Sequence, residues 1–96
     1  MKIIVIHAKP PAKAKEYIKY EGAYFSCWID YADVYGAFAL AKYHVVDSNW
    51  KIISVDKSYK DISSMKDLTK EEKEYFREAK KFGYSLVAHL YPRKDR

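Results

Sequence analysis

Residues 23–55 decide the fold: AYFSCWIDY (23–31), then DVYGAFALAKYHVV (33–46), then NWKIISV (49–55). The first segment is rich in aromatic and β-branched residues and alternates in the manner of a strand, with Phe25, Cys27 and Ile29 on one side. Tyr24, Ser26, Trp28 and Asp30 fall on the other side, which reads as half exposed. In the second segment Val34, Ala37, Phe38, Ala41 and Val45 follow the spacing of one buried helical stripe. Asp33 stands where a carboxylate can accept the orphan N–H groups of the first turn. Asp47-Ser48-Asn49 ends the helix with turn chemistry, and Trp50–Val55 returns as a strand. This is a strand–helix–strand unit with almost no spare residues.

Outward from that unit, KIIVIHAK (2–9) is nearly continuous in apolar character, as suits an interior strand covered on both faces. Pro10-Pro11 closes it, because proline cannot donate to a ladder and restricts the residue before it. Residues 12–21 read as a loop or a single helical turn. The stretch from Asp56 to Asp67 is polar, with Ile62, Met65 and Leu68 expected to pin it to the core. Thr69-Lys70-Glu71-Glu72 fits a capping box. The helix it opens runs to about Phe82, with Tyr75, Phe76, Ala79 and Phe82 on its apolar side, and Gly83 is a natural stop. SLVAHLY (85–91) is the last strand, closed by Pro92.

The expected fold is therefore α+β, with the order β-β-α-β-α-β: a four-stranded sheet carrying two helices, both on one face, as a two-layer sandwich. The 96 residues suit a single domain over 1–92, with a basic tail at 93–96. The apolar share of 49% is enough for a core and too high for disorder.

Composition narrows the function classes. Cys27 is the only cysteine, so no intramolecular disulfide and no cysteine-built zinc site is expected. No long apolar run suggests a membrane span, and the start of the chain does not read as a signal peptide. The expected setting is the cytoplasm. Gly22, Gly36 and Gly83 are too widely separated to write a phosphate-binding loop, and no cofactor motif is present.

The three histidines are candidate ligands. His7 and His89 meet only if the first and last strands are neighbours, and His44 sits on a helix; no HxH, HxxH or HExxH spacing supports a metal. Isolated strand histidines are the expectation. Cys27 shares a side with Phe25 and Ile29 and reads as a small buried hydrophobe rather than a nucleophile. Asp30 with Asp33, and Asp56 with Asp61, are explained as turn and cap residues.

The ten tyrosines, two tryptophans and four phenylalanines are the compositional oddity. Large rings fill a small core, but Tyr17, Tyr20, Tyr24, Tyr35, Tyr43, Tyr59 and Tyr84 have polar neighbours. Tyrosine favours interfaces, offering contact area and a polar handle at low entropy cost. The expected function is a small non-enzymatic binding module that associates with itself or a protein partner through an aromatic surface. Tyr24, Trp28, Tyr31 and Tyr35 are its candidate contacts, and an exposed sheet edge could pair with its mate across a two-fold axis. The alternative is weak nucleic-acid binding. The net charge is +5, most of it in the second half, and Lys80, Lys81, Arg93, Lys94 and Arg96 would meet phosphates. A small enzyme without a recognisable motif is third.

Overall fold

The computed structural model describes residues 1–93; Lys94 and Arg96 of the expected basic tail lie outside the described residues. The elements are β1 (Lys2–Lys9), α1 (Lys15–Lys19), β2 (Tyr20–Ile29), α2 (Val34–Asp47), β3 (Lys51–Asp61), α3 (Lys70–Phe82) and β4 (Tyr84–Pro92). The four strands form one sheet in the order β3-β1-β2-β4, and all three pairings are antiparallel. The α+β class and the element order are those expected. Within the ambiguous 12–21 segment, Lys15–Lys19 forms the single turn α1, and Tyr20 and Glu21 already open β2.

β1 is interior, and its side chains alternate between fully buried on one face and half-buried on the other. The first face is the main core. Ile4, Ile6 and Ala8 of β1 join Ala23, Phe25, Cys27 and Ile29 of β2 beneath Ala37, Ala41 and Val45 of α2. Alanines at two of those three helical positions bring the helix close to the sheet. Trp50 closes one end, its ring edge-on to Phe25 at 5.1 Å. The Asp33 carboxylate accepts from the Gly36 amide at 2.8 Å, so α2 begins where its cap requires.

The second face carries a smaller cluster. Trp28, Phe76 and Ala79 are buried, with Ile3, Ile62, Met65, Leu68, Tyr75 and Val87 packed around them. α3 is fixed at both ends. Thr69 and Glu72 make the reciprocal capping box, and Gly83 takes φ 91° to end the helix.

The two helices therefore lie on opposite faces, with α2 over Cys27 and α3 over Trp28; they do not share one face as expected. The reason is chemical. Ile3, Trp28 and Val87 form an apolar area on the second face, and burying a tryptophan outweighs leaving α3's own apolar side to crowd α2. β3 also runs longer than expected. Beyond Val55 it continues to pair, with Tyr59, Lys60 and Asp61 opposite Ile4, Ile3 and Lys2, because the start of β1 would otherwise expose a row of unmade backbone bonds. No helix among the described residues is long and apolar enough to cross a membrane.

Candidate functional site

α3 covers only one end of the second face. Beyond it, strand register sets Ser54, His7, Tyr24 and His89 side by side across β3, β1, β2 and β4. The His7 and Tyr24 rings stack at 4.4 Å with 12° between planes. Tyr91 reaches over β2 to put its hydroxyl 2.5 Å from His7 Nε2. Its ring sits 5.8 Å from that of Tyr24. Tyr24 is 48% exposed despite this packing.

Gly22 makes the arrangement possible. It pairs with Tyr91 across the ladder. A Cβ there would stand 2.5 Å from the Tyr91 hydroxyl and 2.8 Å from the Ala8 carbonyl oxygen. Burial, then the neighbouring Tyr24 and Glu21, push the Tyr91 hydroxyl above its ordinary pKa. It therefore keeps its proton at neutral pH and stands within hydrogen-bond distance of His7 Nε2.

His7 and His89 are not brought together. β2 runs between their strands, so they lie about 10 Å apart at two strand spacings. His89 instead sits 3.3 Å from Ser26 Oγ. A serine beside a histidine invites a nucleophilic reading. Here Ser26 lies in an interior strand paired on both sides, so its amide is unlike the free donors of an oxyanion hole. Among the described residues, no three His, Cys, Asp or Glu side chains converge to hold a metal ion.

The expected contact residues scatter. Trp28 is 3% exposed, with the Tyr75 ring 5.9 Å from its own. It is a core residue of the second face and is withdrawn as a contact. Tyr31 and Tyr35 are exposed but belong to the entry of α2. Tyr24 stands five residues from Ile29, where β2 ends, so about 17 Å of strand separates it from that region. Tyr31 has a local task there, because a Cβ at Gly36 would fall on its ring. Only Tyr24 joins the aromatic row.

The basic candidates also separate. Lys80 Nζ is 3.4 Å from Asp30 Oδ1, and Lys81 lies over the Phe82 ring. Arg93 stacks on Tyr17, and its Nε donates to the Tyr17 carbonyl. Lys80 and Lys81 precede β4 and Arg93 follows it, so the strand's nine residues set about 30 Å between the two groups.

The remaining candidates have structural work. Burial pushes the Cys27 thiol up to about 12, which makes it inert in the folded chain. Asp56 accepts from the Ser58 amide at 3.0 Å and from its hydroxyl at 2.8 Å. Lys2 Nζ donates to Asp61 Oδ2 at 2.9 Å.

Tyr91, Ser26, Ser54 and Gly22 enter the site without having been singled out in the sequence. The usable signal was Gly22 beside a strand, since an isolated strand glycine often marks close approach of another group. No family model matches this chain, and neither a curated protein nor a solved structure does.

Proposed function

We propose that this protein is a small non-enzymatic binding module that works by contact, and that it associates with a second copy of itself. The open aromatic row centred on Tyr24 is its contact surface. The observation that carries this reading is the combination of exposure and rigidity at Tyr24. The ring is half exposed, yet it is held between His7 and Tyr91 on the interior of a sheet. A large ring ordered before contact pays little entropy on association, which is the character of an interface anchor. The row Ser54, His7, Tyr24, Ser26, His89 and Tyr91 itself contains no carboxylate or ammonium, while Asp56, Glu71 and Glu72 stand at its margins.

Sedimentation of the wild type and of Tyr24→Ala tests the reading. Truncating a central aromatic anchor costs about 2 kcal/mol or more, a loss of roughly thirtyfold in affinity. An assembly indifferent to Tyr24→Ala removes the row from the interface.

A second reading is weak nucleic-acid binding, in which the same rings stack on unpaired bases. The row favours it; the distance between Lys80-Lys81 and Arg93 opposes it. Binding to a labelled single strand that weakens steeply with salt would select it. We place the protein in a reducing cytoplasm, which suits a single buried, unpaired cysteine.

A further inference from the structure

We infer that the outer edge of β4 is the seam of a symmetric dimer, in which β4 pairs antiparallel with β4 of a second copy. This inference rests on the self-association proposed above and names where it occurs.

A four-stranded sheet has two edges, and here they differ. β3 carries Lys51, Asp56, Lys57, Lys60 and Asp61 along its length. It also holds extra residues at two breaks in its register with β1, between Ile4 and Ile6 and between His7 and Ala8. Charges and bulges are the usual means of blunting an edge against pairing. β4 has neither. From Tyr84 to Tyr91 it reads YSLVAHLY, without a formal charge. It matches β2 residue for residue from Ile29–Tyr84 to Gly22–Tyr91.

The edge is also open. No strand among the described residues pairs with the outer side of β4. α3 bonds to its beginning, where Ser85 Oγ donates to Glu78 Oε1 at 2.7 Å. α2 caps Tyr84, whose ring stacks on His44 at 3.6 Å. Past that point Ala88, His89 and Leu90 are exposed in succession, although consecutive strand residues point to opposite faces. The groups left unmade there are backbone N–H and C=O groups in an extended row. Their chemistry selects an extended strand as the occupant.

The sequence of β4 fits a copy of itself. With the two-fold axis at Ala88, the smallest side chain of the strand faces its own mate. Leu86 then faces Leu90 of the second copy on the α2 side, and Val87 faces His89 of the second copy on the α3 side. All three pairings join residues of one face, as a ladder requires. The seam meets the aromatic row at His89 and Tyr91, the members of the row that β4 itself carries.

Sedimentation over a range of micromolar concentrations, with cysteine cross-linking, tests the seam. Ala88→Cys places two thiols at a cross-strand separation that a disulfide can span, and buried Cys27 stays silent. The expected result is a wild-type dimer that Ala88→Cys locks covalently on mild oxidation. A double variant, Ala88→Lys with Leu90→Lys, should weaken that dimer at least about tenfold. Both positions are exposed, so an unchanged circular dichroism spectrum confirms that the variant is folded. A dimer that ignores both β4 changes yet falls apart with Tyr24→Ala overturns the seam and leaves the aromatic contact standing. A wild type that stays monomeric throughout overturns the seam together with the self-association beneath it.

Discussion

The Tyr91 hydroxyl lies 2.5 Å from Nε2 of His7, although their strands are not neighbours. β2 passes between them, and the side chain clears it because Gly22 presents no Cβ. One absent methyl group thus lets an edge strand lock onto an interior one, and Tyr24 is held in between.

Gly22→Ala should therefore act on fold and site together. The new Cβ meets both a side chain and the Ala8 carbonyl oxygen, so the backbone has to shift. Overpacking of this kind costs about 1–3 kcal/mol. In a double-mutant cycle with Tyr91→Ala, measured by denaturant unfolding, the two losses should fall short of additive. Strict additivity would mean that Gly22 and Tyr91 do not share the space described.

Trp28→Ala and Tyr24→Ala should separate core from surface on the same strand. Trp28 is buried against Phe76 and Tyr75, and its removal should cost about 3–5 kcal/mol. Tyr24→Ala should change unfolding far less while lowering association. Equal losses of stability would show that Tyr24 is as deeply packed as Trp28.

The Cys27 thiol, pushed up to about 12 by burial, should not react with an aromatic disulfide reagent in the folded chain at neutral pH. Labelling should track unfolding as denaturant is added. Rapid labelling of native protein would place this thiol near solvent.

Acid should weaken the fold through Asp61. The hydrogen bond from Lys2 holds its carboxyl below the ordinary 3.8, with the Lys2 charge and the amino terminus adding to it. The folded chain thus keeps the carboxylate charged at pH values where the unfolded chain has begun to bind a proton. The resulting stability is complete above about 3.8 and is lost as pH falls through the depressed value. Asp61→Asn should lower stability at neutral pH and flatten this acid limb. An unchanged limb in the variant would assign it to other carboxylates.

Local chemistry was legible in the sequence. The Ala37, Ala41, Val45 stripe, the Asp33 cap, the Thr69–Glu72 capping box and the Gly83 stop each depend on residues within one or two turns. What crosses strands was not. Alternation placed Trp28 with Tyr24 on a half-exposed side, but only the path of α3 decides that one is covered and the other open. The apolar alternates of β1, Ile3 and Val5 beside Ile4 and Ile6, were the clue that both faces needed cover. The row Ser54–His7–Tyr24–His89 depends on the register of four strands, and no segment of the chain carries it alone.

The most direct test of a self-associating contact surface is a concentration series of amide and aromatic NMR shifts on the uniformly labelled protein. Shifts that move with concentration at His7, Tyr24 and Tyr91, and along Ala88–Leu90, are the expected result. Shifts that stay fixed across the series, or that move only around Tyr31 and Tyr35 at the entry of α2, would contradict it.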